Sequence, residues 1–254
     1  MARATSPLSA IDARYLEAGE SLALALDDSG TLTLSGDAPA DGPGVLMHVA
    51  MTDRLQCARG CGDSPRAIDG REQFQLPGHE RWTVILAEQS GKGRVLVHDA
   101  QAPALTGFAG LAWFPVDGSR VVSARFVRAN PRPAVELATN RGLVKTLHVA
   151  GRLQFAFADG SRHELIAYAY VAEPEQGEPL LIPFGDRTSG EESYGSGRYL
   201  EPTNDLDADT MELDFNRATN PYCAYSPHYN CPMPTRDNQL PVAIRAGEKV
   251  YDKH

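Results

Sequence analysis

The feature of this sequence that most constrains its fold is the alternation of apolar and polar residues along short segments. In the stretch SLALALDDSGTLTLSG, 21–36, leucines recur at every second position on both sides of a turn formed by Asp28, Ser29 and Gly30. A period of two places the leucines on one face of an extended strand, and the turn residues reverse the chain. The pattern therefore predicts a β-hairpin.

The same alternation recurs in two more hairpins and in several single strands. Segments 81–99 and 151–172 each combine two apolar runs with a reversal, at 90–93 in the first and at 159–160 in the second. Further strands are predicted at 44–52, 120–128, 179–184, 210–216 and 241–245. Apolar stripes of helical period are scarce, and only the first twenty residues leave room for a longer helix. The predicted fold class is all-β, an antiparallel sandwich or barrel with few short helices.

The domain organisation is suggested by a break in this rhythm. The segment PALTGFAGLAWFPVDGSR, 103–120, is an apolar stretch with glycines that does not alternate. We interpret it as the bridge between an N-terminal β module, 1–107, and a C-terminal β module, 108–254. A chain of 254 residues with 42% hydrophobic residues is long enough to bury a core in such an arrangement.

Charge and hydropathy exclude several classes of partner. Acidic residues outnumber basic ones by 33 to 24, for a formal net charge of −9, which disfavours binding to nucleic acid because phosphates are neutralised by Lys and Arg. The first twenty residues contain no apolar stretch behind a basic start, and no window approaches the roughly 20 apolar residues of a spanning helix. We therefore expect a cytoplasmic protein that binds neither nucleic acid nor membrane.

The four cysteines form two local pairs, Cys57 with Cys61 and Cys223 with Cys231. Such pairs suit disulfides in an oxidising compartment, metal ligation in a reducing one, or simply packed thiols. Packed, reduced thiols are the preferred interpretation for both pairs, and the first pair is expected in a glycine-rich surface loop.

A zinc site is one alternative for the second pair. With His228 the two cysteines form a C-x4-H-x2-C pattern, to which Asp237 or the first cysteine pair could add a fourth ligand. Flanking prolines and the absence of C-x-x-C make this a poor match to structural zinc sites. A disulfide between Cys223 and Cys231 is the other alternative.

Known catalytic patterns are missing from the sequence. There is no G-x-S-x-G, H-E-x-x-H or G-x-x-x-x-G-K-[ST] motif. His163 opens the run HELIAY, but Ala167 stands where a zinc protease needs its second histidine. No catalytic residue is assigned, and no metal or other cofactor is implied.

Two polar clusters in the C-terminal half are the candidates for a binding site. They lie at 186–198, among glycines, and at 214–238, among prolines. Charged groups are seldom buried unless paired, so converging loops would neutralise one another or face a polar ligand. Arginine suits carboxylates and phosphates because its guanidinium is a planar fork. The candidate ligand-binding residues are Arg187, Glu192, Tyr194, Arg198, Asp214, Asn216, Arg217, Asn220, Tyr225 and Asn238.

The same region carries a resemblance to a known family. GEESYGSGRYL, 190–200, and the stretch LDFNRATNPYCAYSPHYNCPMPTRDNQLPVAIRAGEK, 213–249, resemble the C-terminal signature of the bacterial and archaeal domain of unknown function 1684, and LAWFPVDGSRVVSARF resembles its mid-chain pattern. The likeness covers about 108–249 and is strongest at 192–249. One departure is HVAG, 148–151, where members tend to carry a Pro-Ser-Pro-Gly turn.

The resemblance implies a fold expectation but no activity. Its motif positions in this chain are Tyr194, Gly195, Gly197, Arg198, Asp214, Phe215, Asn216, Arg217, Asn220, Pro221, Cys223, Cys231, Pro232 and Asn238. Five prolines stiffen 214–241, which suggests a rigid segment closing one end of the C-terminal β module and held by Asn216, Arg217 and Asn238.

Three functional hypotheses follow from these features. The leading one is a protein that binds a small polar or anionic molecule at the end of the C-terminal β unit. The second is a metal-independent hydrolase in which Glu192 or Asp214 is the general base and Arg198 or Arg217 stabilises negative charge. The third is an interaction module stapled by zinc or a disulfide through Cys223, His228 and Cys231. A salt-bridged network that only anchors the proline-rich segment is the structural alternative to the first hypothesis.

Overall fold

A computed structural model describes residues 5–36, 38–63, 65–203, 205 and 208–251. The chain divides into two compact units, unit 1 at Met1–Phe108 and unit 2 at Ala109–His254. All paired strands in the described residues are antiparallel, so the all-β prediction is confirmed.

The described residues of unit 1 form nine strands: β1 Ala10–Leu16, β2 Ser21–Leu26, β3 Leu32–Gly36, β4 Val45–Met51, β5 Leu55–Arg59, β6 Arg66–Ala67, β7 Arg71–Leu76, β8 His79–Gln89 and β9 Lys92–Asp99. They form a four-stranded sheet in the order β1-β9-β8-β7 and a five-stranded sheet in the order β3-β2-β4-β5-β6. Leucines of β2 and valines of β9 belong to one buried cluster, so the two sheets share a single core. Outside the strands lie a 3₁₀ helix, Pro7–Ser9, and α1, Pro103–Thr106.

In unit 2 the part of the chain that the structure describes forms seven strands: β10 Val121–Arg128, β11 Ala134–Ala138, β12 Val144–Ala156, β13 Arg162–Ala169, β14 Ile182–Phe184, β15 Arg198–Leu200 and β16 Thr210–Asp214. Its 3₁₀ helices are Gly118–Arg120, Phe215–Arg217, Tyr222–Ala224 and Arg236–Asn238. No helix in the described part of the chain is long and apolar enough to cross a membrane.

The long strand β12 organises the main sheet of unit 2. On one side, the first half of β12 pairs with β11 and the second half pairs with β10. On the other side, β13 pairs with most of the length of β12. β16 extends the sheet beyond β10, while β14 and β15 form a separate two-stranded ribbon. The predicted alternation is confirmed here, since Leu153 and Phe155 are buried whereas Arg152 and Gln154 are exposed. In this part of the sheet one face therefore covers the core and the other is polar. Further along the second face, Ile166, opposite Arg152, belongs to a separate buried cluster with Leu147 and Tyr168.

The predicted hairpins are present. β2 pairs with β3 and β12 pairs with β13, across the expected turns. The reversal between β8 and β9 is a two-residue loop, Ser90 and Gly91, and both have positive φ. Such a loop matches the twist of antiparallel strands, so β9 already begins at Lys92.

Several predicted elements are wrong in detail. Segment 241–245 forms no strand, because the Ile244 carbonyl accepts a hydrogen bond from the Arg198 side chain rather than from a neighbouring strand. The strand expected at 179–184 is confined to β14, and the one expected at 210–216 ends at Asp214, where a 3₁₀ helix begins. The first twenty residues contain β1, paired with β9, instead of a long helix.

The first cysteine pair also differs from expectation. Cys57 and Cys61 form a disulfide, and both are buried rather than placed in a surface loop. Cys57 lies on β5 two positions after Leu55, so the period of two directs both side chains into the core of unit 1. The prediction of reduced thiols is therefore wrong for this pair.

Gly151 on β12 provides a test of the packing between β12 and β10. A Cβ at this position would lie 2.5 Å from the Val127 carbonyl oxygen and 2.6 Å from a ring carbon of Phe126. We expect Gly151→Ala to lower the free energy of unfolding by about 1–3 kcal/mol, because overpacking forces backbone shifts. Urea unfolding of the two proteins measures the difference.

The matched control is Gly118→Ala. A Cβ at Gly118 would meet no atom within 4 Å, so we expect its free energy of unfolding to change by no more than about 0.5 kcal/mol. Equal effects of the two substitutions would contradict the close approach of β12 to β10.

Candidate functional site

The two polar loops of unit 2 meet at a buried carboxylate, Glu248. Its side chain accepts hydrogen bonds from the Asn220 amide N–H at 2.9 Å, from Asn220 Nδ2 at 2.9 Å and from the Tyr225 hydroxyl at 2.5 Å. Arg198 Nη1 donates to the backbone oxygen of the same residue at 3.2 Å. Candidates from both loops therefore converge on a residue that the sequence analysis missed, since nothing in its spacing sets it apart.

Arg198 lies at the centre of this network with its side chain fully buried. Nη2 donates to Asp186 Oδ2 at 2.7 Å and to the Ile244 oxygen at 2.8 Å, and Nη1 also donates to the Ala246 oxygen at 2.5 Å. Asp186 Oδ1 accepts in turn from the backbone N–H and the hydroxyl of Thr188, both at 2.6 Å. Four acceptors occupy Nη1 and Nη2, so Arg198 anchors the segment 244–248 from within.

The Glu248 carboxylate has an unusual environment. Burial raises its pKa, while the hydrogen bonds from Tyr225 and Asn220 act in the opposite direction. A carboxyl with a raised pKa is a feature of some catalytic sites, but ion-pair networks produce such shifts too. Here the carboxylate is 1% exposed and is surrounded by its own donors, so its role is to hold the two loops together.

Two asparagines tie the rest of the proline-rich segment to the sheet. Asn238 is fully buried, accepts from the Ile166 N–H at 2.7 Å, and donates to the Ile166 and Pro183 oxygens at 2.9 and 2.7 Å. Asn216 exchanges hydrogen bonds with the backbone of Asp117. Both amides satisfy backbone groups that irregular chain would leave unpaired, so their role is structural.

Two further candidates lie on the surface. Arg187 is exposed, and its backbone N–H donates to the Val242 oxygen. Glu192 forms an ion pair with Arg245 at 2.8 Å, and the hydrogen bond from Arg245 lowers the pKa of the Glu192 carboxyl. A general base at neutral pH needs a raised pKa, so this environment does not favour that role for Glu192.

Asp214 and Arg217 share a small cavity of about 300 Å³. Glu201, Glu212 and Thr219 also line it. Three carboxylates face one guanidinium there, which makes the cavity unsuited to an anion. Asp214 also caps a 3₁₀ helix by accepting from the Asn216 N–H at 3.0 Å.

A larger cavity, of about 750 Å³, lies on the polar face of the main sheet; we call it the sheet basin. It is lined by Ser123, Arg125, Gln154, Phe155, Ala156, Arg162, His163, Glu164 and Thr210. Thr210, Arg125, Gln154 and Glu164 lie directly opposite one another on β16, β10, β12 and β13, and so form one row across four strands. The alternation marks these positions as exposed, but only the strand order brings them together.

The sheet basin carries an unbalanced positive charge. Glu164 is neutralised by Arg152 at 2.5 Å and also accepts from Gln154 Nε2 at 2.9 Å. Within the residues that the structure describes, no ion pair or side-chain hydrogen bond involves Arg125 or Arg162. Their guanidinium groups are therefore available to a ligand.

The second cysteine pair is neither a disulfide nor a zinc site. Cys223 and Cys231 are buried free thiols in this structure, as the preferred interpretation of packed thiols predicts, and not the alternative disulfide. Across the described ranges no three His, Cys, Asp or Glu side chains are grouped as metal ligands, so Cys223, His228 and Cys231 do not form the zinc pattern. Tyr194 is half-buried and donates its hydroxyl to Cys223 Sγ at 3.7 Å, and burial raises the pKa of Tyr194 to about 12.

The structural role assigned to Arg198 can be tested against Arg217. We expect Arg198→Ala to lower the free energy of unfolding by about 3–5 kcal/mol, because it leaves the buried Asp186 carboxylate without its cation. Arg217→Ala removes an exposed side chain and should change it by no more than about 0.5 kcal/mol. Urea unfolding measures both free energies. Similar losses for the two variants would contradict a structural role for Arg198 that Arg217 does not share.

The buried Glu248 should produce a pH dependence of stability. Burial raises the pKa of Glu248 in the folded state. The contribution of Glu248 to the free energy of unfolding is therefore greatest below the unfolded pKa of about 4.3 and declines as pH rises through the folded pKa. We therefore expect wild type to lose stability relative to Glu248→Gln as pH rises above the unfolded pKa of about 4.3. Urea unfolding at several pH values measures this difference.

Glu192→Gln is the control with the opposite sign. The pKa of Glu192 is lowered in the folded state. Its contribution to the free energy of unfolding is therefore present above the unfolded pKa and is lost as pH falls through the folded pKa. The effect should be small because the ion pair with Arg245 is exposed. If Glu248→Gln and wild type show the same pH dependence, the buried carboxylate does not titrate as described.

Comparisons with other proteins place this unit in a family. The family described as "Protein of unknown function (DUF1684)" matches residues 106–249, more than half of the chain. The chain is also similar to the solution NMR structure of the uncharacterized protein from gene locus rrnAC0354 of Haloarcula marismortui, with 33% sequence identity, a TM-score of 0.48, and coverage of 57% of this chain and 78% of the other. No curated protein matches the chain. The resemblance in the C-terminal half is thus confirmed, and the chain belongs to the DUF1684 family.

Proposed function

We propose that unit 2 binds a small anionic molecule in the sheet basin. The observation that carries this proposal is the pair Arg125 and Arg162, which line a cavity of about 750 Å³ and make no ion pair with any described residue. Cavities of roughly 300–1,000 Å³ are typical of small-molecule sites. Guanidinium groups bind carboxylate or phosphate through paired hydrogen bonds.

The rest of the sheet basin fits a polar ligand. The hydroxyls of Ser123 and Thr210 and the amide of Gln154 add short donors and acceptors beside the two arginines. The chain as a whole has a net charge of −9, which would repel an extended polyanion. A small anion that contacts only the local positive region avoids this repulsion, so nucleic acid is not the proposed partner.

This proposal keeps the expected ligand class but changes the expected location. The loops 186–198 and 214–238 were expected to form the site, yet the Nη groups of Arg198 are taken by protein acceptors and the cavity of Arg217 is acidic. The polar face of the sheet supplies arginines without these competing partners. Simple binding is favoured over hydrolysis because the Glu192 carboxyl has a lowered pKa and Asp214 caps a helix.

The compartment in which the protein works is an open part of this proposal, because two features point to different compartments. The cytoplasmic expectation comes from the sequence, whereas the Cys57–Cys61 disulfide is a feature of proteins in oxidising compartments. Acid quenching of cells, alkylation under denaturing conditions and mass mapping of these two buried cysteines measure their state in place. Alkylated thiols support the cytoplasm, and an intact disulfide supports an oxidising compartment.

Ligand binding can be measured directly by calorimetric titration at low ionic strength with citrate, malonate, inorganic phosphate and pyrophosphate. We expect at least one of these anions to bind wild type, and Arg125→Ala or Arg162→Ala to weaken binding by about 1.5–3 kcal/mol, roughly ten- to hundredfold in Kd. Binding should decline with added salt, because the contacts are charged and partly exposed to solvent.

The matched control is Arg187→Ala, which removes an exposed arginine of the same unit that does not line the sheet basin. It should bind the anion as wild type does. Equal weakening by all three substitutions would indicate a general charge effect. No binding by any of the four anions, with all variants folded, would contradict an anion site in the sheet basin.

A further inference from the structure

The second cysteine pair has a geometry that the proposed function does not use. Cys223 and Cys231 are 8% and 7% exposed, and the Cys223 amide N–H donates to Cys231 Sγ at 3.3 Å. The 3.3 Å hydrogen bond places Cys231 Sγ beside the backbone of Cys223, so two free thiols eight positions apart in the chain are neighbours in the fold.

The two sulfur atoms are not equivalent. Cys223 Sγ accepts a hydrogen bond from the Tyr194 hydroxyl at 3.7 Å, whereas Cys231 Sγ accepts from the Cys223 amide N–H at 3.3 Å. The pKa of Cys223 is lowered, chiefly by Cys231, whereas the pKa of Cys231 is raised, chiefly by Cys223. Cys223 is therefore the nucleophile of the pair, and Cys231 is the thiol that retains its proton.

The loop that carries Cys231 is fixed to the sheet. Its N–H donates to Asn140 Oδ1 at 2.7 Å, and the Asn140 N–H donates to the Cys231 oxygen at 3.1 Å. Pro232 follows directly, and its oxygen accepts from the Tyr199 hydroxyl at 2.5 Å. Cys231 is thus held in place beside Cys223, which itself lies in the 3₁₀ helix Tyr222–Ala224.

We propose that Cys223 and Cys231 form a dithiol site that reduces hydroperoxides and is converted to a disulfide. In the first step the Cys223 sulfur attacks one peroxide oxygen; an S–O bond forms, the O–O bond breaks, and the alcohol or water leaves with the former thiol proton. In the second step the Cys231 sulfur attacks Cys223 Sγ, and the hydroxyl leaves as water. The two sulfurs lose two electrons in total, and the peroxide gains them.

Burial of the sulfur atoms favours a small oxidant. Each residue is less than one-tenth exposed, so a hydroperoxide reaches the sulfur more readily than a protein disulfide, which needs in-line access to the attacking thiolate. Cys231, the thiol that attacks in the second step, lies beside Cys223. Its attack on the sulfenic acid of Cys223 therefore competes with further oxidation of that sulfur. A dithiol such as dithiothreitol closes the cycle by reducing the disulfide.

The site is separate from the sheet basin, so the two proposals fail independently. None of the residues that line the basin is Cys223, Cys231 or Tyr194. Loss of anion binding leaves the thiol chemistry untouched, and substitution of the cysteines leaves Arg125 and Arg162 in place.

Peptide mapping of the wild-type protein tests the proposal. Trypsin cleaves after Arg217 and Arg236, so both thiols and Met233 fall in one peptide. After treatment of the folded protein with hydrogen peroxide, removal of the peroxide and unfolding in the presence of iodoacetamide, we expect this peptide to lack two hydrogen atoms and carry no alkyl groups. Dithiothreitol should restore two alkylatable thiols.

Variants identify the order of the two steps. In Cys231→Ser the sulfenic acid on Cys223 has no partner, so dimedone should label Cys223 there but not in wild type. In Cys223→Ser the Cys231 thiol should remain alkylatable. Tyr194→Phe removes one donor to the thiolate and should slow disulfide formation by roughly three- to tenfold.

Three outcomes would overturn the proposal. The first is full alkylation of both thiols at a peroxide dose that already oxidises Met233 in the same peptide. The second is a sulfinic or sulfonic acid on Cys223 without the disulfide. The third is oxidation of Cys231 in the Cys223→Ser variant, detected by dimedone, at the same rate at which peroxide consumes the thiols of wild type. Circular dichroism of each variant shows that it is folded before peroxide is added.

Discussion

The buried ion pair between Arg198 and Asp186 is the interaction on which the C-terminal part of unit 2 depends. Both side chains are fully removed from solvent, which costs several kcal/mol for each ion unless the charges and hydrogen bonds are matched. Here the carboxylate and three backbone oxygens at 244, 246 and 248 accept from one guanidinium. An irregular segment is thereby fixed without strand pairing, and Glu248 is brought to Asn220 and Tyr225.

This arrangement separates two kinds of arginine in the same unit. Arg198 is bound by acceptors within the protein, so its charge is satisfied on folding and serves stability. Arg125 and Arg162 project from strands into an open cavity and have no such acceptors among the described residues. An anion can stabilise only the second kind. The function that we propose therefore rests on where a charge lacks a partner, rather than on where polar residues are most concentrated in the chain.

The extent to which the sequence predicted the structure varies with the range of the interaction. The hairpins follow from local alternation and turn residues, so β2–β3, β8–β9 and β12–β13 were predicted well. The convergence of the two polar loops was also expected, and both reach Glu248. The failures depend on distant partners. Segment 241–245 has the composition of a strand, but the Ile244 carbonyl accepts a hydrogen bond from Arg198. The disulfide is a local failure instead: alternation along β5 predicts that Cys57 is buried, but alternation alone does not predict that it is bonded to Cys61.

The sequence by itself determined the fold class, the family and the residue types available to a site, because alternation, turn chemistry and motif residues are local properties of the chain. Only the tertiary structure decided which charges are neutralised and which remain free. That outcome depends on strand order and on the burial of each group, since an arginine such as Arg198 changes from ligand donor to structural anchor when acceptors from distant segments surround it. The same holds for Cys223 and Cys231, whose contact with each other and with Tyr194 sets their chemistry.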